Sequence, residues 1–269
     1  MKREWRTFLT AAMFLTRIRL PKNIDHSSQY LQKSPKYFPA IGWIVGLISF
    51  LAFLVFSTLV SVDIGILASM IAGIFVTGAL HEDGFADVCD AFGGGWTKEK
   101  ILAIMKDSRI GSFGTIGLIA LFGAKFLLLK QLVQIVQADP QGINVPLTQH
   151  LFLALVISAH SLSRLIPVFV IQLLDYVSEE KLSKSRTLVD KKLTAKEIII
   201  AIVLAFLPFM FLPFYFLLGI IPVAYIIYLL VKYFKKWIGG YTGDCLGAVQ
   251  QVSEIVFYLS SVVVGRYFI

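Results

Sequence analysis

Long apolar runs recur along almost the whole of this 269-residue chain, and they restrict its possible folds more than any other feature. A helix needs about 20 apolar residues to cross the roughly 30 Å hydrocarbon layer of a bilayer. Backbone groups in lipid must also satisfy their hydrogen bonds internally, which favours helices. The sequence therefore predicts an all-α, polytopic membrane helix bundle with about seven transmembrane helices. Uncharged or nearly uncharged runs lie at about 39–61, 64–80, 110–136, 150–174, 198–213, 214–231 and 246–265.

Composition supports this fold class, because 57% of the residues are hydrophobic and only 16% are charged. Since no polar block is long enough for a separate soluble domain, residues 1–269 are predicted to form a single integral membrane domain. The run at 198–231 is too long for one crossing and short for two. In this run, Pro208, Pro213 and Pro222 favour two short, kinked helices with a tight turn near Pro213.

The positions of Lys and Arg predict the orientation, since short cytoplasmic loops carry an excess of these residues. With seven spans and a cytoplasmic N-terminus, the segments 1–38, 81–109, 175–197 and 232–245 face the cytoplasm and hold 21 of the 25 Lys and Arg residues. We therefore expect a multi-pass protein of the cytoplasmic (inner) membrane, with motif loops in the second and fourth of these segments. Orientation and anionic headgroups of the lipid bilayer account for the net charge of +8. Nucleic-acid binding is not expected.

The N-terminal segment has the pattern of an amphipathic helix. Such a helix lies in the membrane interface with its apolar face in the acyl boundary. We expect this arrangement for the first turns of the chain, where one helical face would carry Trp5, Phe8, Leu9, Ala12 and Met13.

The most unusual polar stretch is GALHEDGFADVCDAFGGG, residues 78–95, directly after the second apolar run. In a helix, Asp83, Asp87 and Asp90 stand at i, i+4 and i+7 and project from one face. Because three like charges repel, a cation is expected among them, and Mg²⁺ is commonly held by one or two carboxylates plus substrate phosphates. We expect these three residues, with Glu82 as a further ligand, to bind Mg²⁺. The alternative is a solvated acidic loop that caps a span.

Glycines in the same stretch favour the metal-site hypothesis. Gly84 lies inside the acidic helix, and three more glycines follow at 93–95. Glycine weakens a helix but lets other groups approach the backbone closely. We interpret these positions as places where the backbone approaches a ligand.

A basic segment, IMKDSRIGSFG at 104–114, follows the acidic one. Lys106 and Arg109 are donors of the kind that bind phosphate, and Asp107 and Ser108 lie between them. We therefore expect these four residues to contact a phosphate-bearing substrate.

A third motif, GGYTGDCLGAVQQVSE at 239–254, opens the last apolar run on the same predicted side of the membrane. Either Thr242 or Asp244 could cap the N-terminus of that helix, and both are candidate substrate-binding residues. Asp244 and Gln251 share a helical face. Glu254 lies deeper, where an ionisable group in an apolar span is a candidate for function.

The fourth apolar run carries His160 and Arg164 on one helical face. A buried Arg requires an anionic partner, either one of the carboxylates or a ligand phosphate, so Arg164 is a candidate for substrate binding. For His160 a structural hydrogen bond is as well supported as catalysis. We expect Lys125 and Lys130 in the third run to pair or to extend toward the interface.

The three motifs, in this order and spacing on a polytopic chain, resemble the cobalamin synthase family, also called adenosylcobinamide-GDP ribazoletransferase. Ala91 stands where that family often has Gly. The resemblance implies a transferase that completes the assembly of cobalamin. It joins adenosylcobinamide-GDP to α-ribazole or α-ribazole 5′-phosphate, releases GMP and requires Mg²⁺. The resemblance leaves a homo-oligomer open.

This activity would be a phosphoryl transfer, in which a ribose hydroxyl attacks the phosphorus nearer the corrinoid and GMP leaves. Lys106 and Arg109 would balance the phosphate charge, and Asp87 or Asp244 could accept the proton. Two other classes remain as alternatives. The first is a phospholipid enzyme like the CDP-alcohol phosphotransferases, and the second is a cation transporter.

Overall fold

The computed structural model describes residues 2–20, 28–137, 145–177 and 192–268. Within these residues the chain is helical and contains no β-strand, which confirms the predicted all-α class. The helices are α1 Lys2–Leu15, α2 Ser28–Lys33, α3 Phe38–Leu59, α4 Val62–Thr77, α5 Leu80–Gly94, α6 Lys98–Met105, α7 Ser112–Gln137, α8 Val145–Leu173, α9 Ala195–Phe206, α10 Ile220–Ile238 and α11 Gly243–Phe268.

Five helical segments in the described ranges are long and apolar enough to cross a membrane. They are Gln29–Leu59, Ser112–Gln137, Gln149–Leu173, Phe214–Ile238 and Gly243–Phe268. A sixth span results if α4 and α5, which meet at a bend of 90°, are counted as one broken span. All seven predicted apolar runs contain a helix, but the described residues supply five or six possible spans and not seven. Helix α9, with 12 residues, is too short to cross by itself.

The run at 198–231 breaks where its prolines predict. Helix α9 ends at Phe206 and is followed by the 3₁₀ segments Leu207–Phe211 and Phe214–Gly219, with Pro213 between them. Proline lacks the N–H that an α-helix needs and restricts the residue before it, which explains the interruption. The second helix, α10, extends to Ile238 and is longer than predicted.

The acidic stretch forms a helix of its own because the chain turns sharply before it. Gly78 and Ala79 both adopt left-handed backbone conformations, with φ of 66° and 59°. The N-terminal segment supports this turn, since the Arg17 N–H donates to the Val76 carbonyl at 2.7 Å. The Arg17 side chain lies where a Cβ on Gly78 would be.

Helix α5 packs closely against α11 through two glycines. A Cβ on Gly84 would lie 3.0 Å from the Cα and the carbonyl oxygen of Asp244, and one on Gly247 would lie 3.0 Å from the His81 carbonyl oxygen. A Cβ on Gly93 would meet the ring of Phe113 at 2.5 Å. Gly84 and Gly93 therefore admit neighbouring helices, and our interpretation of these two glycines as ligand-approach positions is wrong.

The predicted N-terminal helix is present as α1, but its packed face differs from the predicted apolar face. Ala11 and Leu15 are buried against the bundle, whereas Trp5 is 60% exposed. An ion pair between Glu4 and Lys36 also ties α1 to the bundle, with 2.7 Å between Oε2 and Nζ. The hydrogen bond from Lys36 lowers the pKa of Glu4.

The segment that follows α8 and the start of the third motif are joined by backbone hydrogen bonds. The Val177 N–H donates to the Tyr241 carbonyl at 2.8 Å, and the Tyr241 N–H donates to the Asp175 carbonyl at 3.1 Å. This bridge holds the chain before α11 against the end of α8.

Candidate active site

The first and third motifs meet at one end of the bundle. The starts of α3, α5 and α11 and the ends of α1 and α8 enclose a cavity of about 130 Å³. Of the predicted site residues, Asp83, Asp244 and Arg164 line it. These three residues come from parts of the chain far apart in sequence, so their meeting is a property of the tertiary structure.

Asp87 lies beside this group, so that four carboxylates are within electrostatic range of one another. Asp87 interacts with Asp83, Asp90 and Asp244, and Asp244 also interacts with Asp83. Like charges at this range repel, and a bound cation would relieve the repulsion.

Thr242 caps α11 and thereby positions Asp244. The Cys245 N–H donates to Thr242 Oγ1 at 3.3 Å, which decides between the two predicted caps. The same hydroxyl lies 3.4 Å from Asp244 Oδ2 and can donate to it. Thr242 is buried, and its hydroxyl contacts Asp244 and the N-terminus of α11.

Asp90 is buried and its two carboxylate oxygens already have donors. Oδ2 accepts the N–H of Gly111 at 2.7 Å, and Oδ1 accepts the N–H of Gly114 at 2.8 Å. These are amides at the N-terminus of α7, where a carboxylate satisfies otherwise unpaired donors. Asp90 therefore attaches the basic segment to α5, in addition to any role at a metal.

Glu82 does not lie on the face of α5 that carries Asp83, Asp87 and Asp90. It is buried, and its Oε1 accepts a hydrogen bond from Gln251 Nε2 at 2.9 Å. Its Oε2 has no hydrogen-bond partner among the described residues. Since neighbouring helical residues project about 100° apart, Glu82 and Asp83 face different cavities.

The second cavity, of about 30 Å³, lies inside the bundle and is lined by ionisable side chains. Lys125 Nζ lies 3.0 Å from Glu254 Oε1, and His160 Nδ1 lies 3.6 Å from Glu254 Oε2. Glu82 and Arg164 also line this cavity, so two carboxylates face two cations. The expected pairing of Lys125 is confirmed, and Lys130 pairs with Asp63 at 2.8 Å.

Arg164 connects the two cavities, because it lines both of them. It is 2% exposed, and its Nη1 donates to the His160 carbonyl at 3.0 Å. Glu254 and Glu82 line the same inner cavity and act on it electrostatically. Its Nε has no partner in the part of the chain that the structure describes.

The basic segment lies outside the lining of the 130 Å³ cavity. Arg109 is exposed and pairs with Asp107, with 2.6 Å between Nη2 and Oδ2. Hydrogen bonds from the Arg109 side chain and backbone lower the pKa of Asp107 to about 2. Lys106 and Ser108 are also exposed. The structure therefore brings this segment near the acidic helix through Asp90 but does not place these four residues in the cavity.

The candidate ligands for a metal ion are the carboxylates of α5 and α11. No group of three or more His, Cys, Asp or Glu side chains within the described ranges is arranged to hold one unaided. Asp83 and Asp87 accept none of the hydrogen bonds that hold Asp90 and Glu82, and Asp244 has a single long contact with the Thr242 hydroxyl at 3.4 Å. This set fits Mg²⁺, since the ion usually takes one or two carboxylates and completes its shell with substrate phosphates and water.

Three residues of the site, His81, Phe14 and Leu15, were not predicted from the sequence. His81 is buried and lines both cavities. Its position in the first turn of the acidic helix was the available signal. Phe14 and Leu15 of α1 form part of the wall, and no motif pointed to them.

Comparison with known proteins gives consistent matches over nearly the whole chain. Residues 7–262 match the family model described as cobalamin-5-phosphate synthase. The adenosylcobinamide-GDP ribazoletransferase of Leptospira interrogans is 39% identical over 266 residues, covering 96% of each chain. A protein of the same name from Shewanella piezotolerans is 37% identical over 264 residues, covering 98% of this chain and 97% of the relative. No solved structure matches. Because both the family model and these relatives cover almost all of its residues, this chain belongs to the cobalamin-5-phosphate synthase family.

Proposed function

We propose that this chain is a transferase that joins adenosylcobinamide-GDP to α-ribazole or α-ribazole 5′-phosphate. The products are GMP and adenosylcobalamin or its 5′-phosphate, in the final assembly step of cobalamin biosynthesis. The names of the relatives support the choice of substrates. The observation that carries the site is the cavity in which Asp83, Asp244 and Arg164 meet.

The reaction requires charge neutralisation and alignment more than covalent chemistry from the protein. Asp83 and Asp87 would hold Mg²⁺, and the ion would neutralise negative charge on the pyrophosphate. In the transfer, an oxygen–phosphorus bond forms from a ribose hydroxyl to the phosphorus nearer the corrinoid, and the bond to the GMP oxygen breaks.

The proton of the attacking hydroxyl passes to a carboxylate, for which Asp244 and Asp87 are the candidates. Asp244 lies in the first turn of α11 next to the Thr242 hydroxyl. Arg164 supplies a positive charge at the floor of the cavity. Lys106 and Arg109 are exposed, so we assign them to the GDP group, which lies outside the cavity.

The alternatives account for fewer of these features. A cation transporter places its ionisable sites near the bilayer midplane on discontinuous helices. The 30 Å³ cavity inside the bundle shares this feature, but the cavity that Asp83 and Asp244 line lies at one end of the bundle, and Asp83 is exposed. A CDP-alcohol phosphotransferase would carry an Arg directly after Ala86, and this chain has Asp87 there.

The test uses protein purified in detergent or liposomes with adenosylcobinamide-GDP, α-ribazole 5′-phosphate and Mg²⁺, and follows GMP release. We expect GMP release that EDTA abolishes and added Mg²⁺ restores. The no-enzyme reaction is the control. Absence of GMP above that control, together with activity on CDP-diacylglycerol, would contradict the proposal.

A further inference from the structure

The 130 Å³ cavity that Asp83 and Asp244 line has one apolar side and one polar side. Phe14 and Leu15 of α1 and Phe38 of α3 contribute to an apolar wall. The rings of Phe14 and Phe38 are parallel, with 6.0 Å between their centroids. Asp83 and Asp244 belong to the same cavity. A ligand that fills it must therefore carry an apolar, flat part next to a polar part.

We propose that this cavity binds the acceptor nucleoside, with its heteroaromatic base against Phe14 and its ribose toward the two carboxylates. The inference rests on the proposed function and adds a specificity-determining residue, Phe14, that none of the three motifs contains. Aromatic side chains favour offset stacking with flat rings, and such a wall selects an aromatic base over a bare sugar.

Size assigns the cavity to the smaller of the two substrates. Its volume is about 130 Å³. An engineered apolar cavity of about 150 Å³ binds benzene. A cavity of this size holds one flat aromatic base, so the ribose of the acceptor must lie at the cavity mouth, where Asp83 is exposed. A corrinoid macrocycle is many times larger and must lie outside the cavity.

The polar side of the cavity gives the bound nucleoside a direction. Asp244 is half-buried at the start of α11, and Asp83 is in the first turn of α5. With the base on the aromatic wall, the ribose hydroxyls face these carboxylates. The attacking hydroxyl then lies beside the group that accepts its proton, which is the geometry that a displacement at phosphorus requires.

The aromatic wall is fixed in place by contacts on both sides of Phe14. Ala11 is 0% and Leu15 is 4% exposed. Upstream, Glu4 pairs with Lys36, and downstream the Arg17 N–H donates to the Val76 carbonyl. Helix α1 therefore presents Phe14 to the cavity as a preorganised surface, which reduces the entropy cost of binding.

The first experiment compares Phe14→Ala with Met13→Ala, a neighbour on α1 that does not line the cavity. We expect Phe14→Ala to raise KM for α-ribazole 5′-phosphate by about tenfold, which corresponds to about 1.4 kcal/mol of binding. The KM for adenosylcobinamide-GDP should change less than twofold, and Phe14→Leu should have an intermediate effect. Met13→Ala should leave both KM values unchanged.

A second measurement uses the wild-type protein and so does not depend on the folding of a variant. Benzimidazole riboside, imidazole riboside and ribose 5-phosphate are compared as competitors of the acceptor. We expect the bicyclic riboside to inhibit at least tenfold better than the single-ring riboside, and ribose 5-phosphate to be weaker still.

The outcomes separate this inference from the proposed function. Lack of GMP release by the wild-type protein would contradict the proposed function. If the wild-type protein is active but Phe14→Ala changes both KM values equally or neither, or if the three competitors inhibit equally, the inference alone is wrong.

Discussion

At the scale of single residues, helical spacing predicts that the carboxylates of α5 form one metal site. Their hydrogen bonds show that they have different roles. Asp90 is bound by amides 21 and 24 residues away, and Glu82 is bound by a side chain 169 residues away. The carboxylates of Asp83 and Asp87 accept none of these hydrogen bonds and can therefore hold a cation. Periodicity could identify the face, but it could not identify partners that the chain brings from distant segments.

Substitution of these residues should therefore give two different results. Asp83→Asn and Asp87→Asn should each lower the rate of GMP release at least tenfold, or about 1.4 kcal/mol of barrier, with an unchanged Tm. Asp90→Asn should lower the Tm, because an amide NH₂ cannot accept a backbone N–H and loss of a buried hydrogen bond costs about 1–3 kcal/mol.

Steady-state GMP release and thermal unfolding in detergent measure the two effects separately. Wild-type rates in both Asp83→Asn and Asp87→Asn would contradict a metal site on this face. A wild-type Tm for Asp90→Asn would contradict its role at the N-terminus of α7.

At the scale of helices, the site depends on how closely α5 and α11 approach. Gly84 and Gly247 form this contact, and membrane helices commonly use small residues where their backbones approach closely. The turn at Gly78 and Ala79 directs α5 away from α4. The sequence motif contains these residues, but the identity of the partner helix follows only from the packed structure.

Adding one methyl group at this contact should destabilise the protein. We expect Gly84→Ala and Gly247→Ala each to cost about 1–3 kcal/mol through overpacking and to reduce activity. Gly123→Ala is the matched control, because no atom lies within 4 Å of its added Cβ. There the change should be neutral or stabilise α7 by up to about 1 kcal/mol. Thermal unfolding of the three variants checks this, and equal stability of Gly84→Ala and Gly123→Ala would contradict the packing argument.

At the scale of the whole molecule, function depends on which side of the membrane the cavity faces. The loop charges predict that the ends of α5 and α11 that carry the motifs face the cytoplasm, where nucleotide substrates are available. The starts of α3, α5 and α11 and the end of α8 enclose one cavity, so these helix ends lie at the same end of the bundle. The side of the membrane that this end faces stays a prediction from the loop charges.

Single-cysteine labelling tests this orientation in a Cys89→Ala, Cys245→Ala background. Ser108 is exposed in the basic segment between α6 and α7, and Val60 is 65% exposed in the turn between α3 and α4. A membrane-impermeant maleimide should label Ser108→Cys only in inside-out vesicles and Val60→Cys only in spheroplasts. The reverse pattern would contradict a cytoplasmic site.

The sequence by itself determined the helical class, the apolar segments, the break near Pro213 and the three polar motifs. These properties depend on residues close together in the chain, through hydropathy, periodicity and the missing N–H of proline. Only the tertiary structure decided that Asp83, Asp244 and Arg164 share a cavity while Glu82 turns inward. It also placed Phe14 of α1 in the wall, because contacts between distant segments depend on how the helices pack.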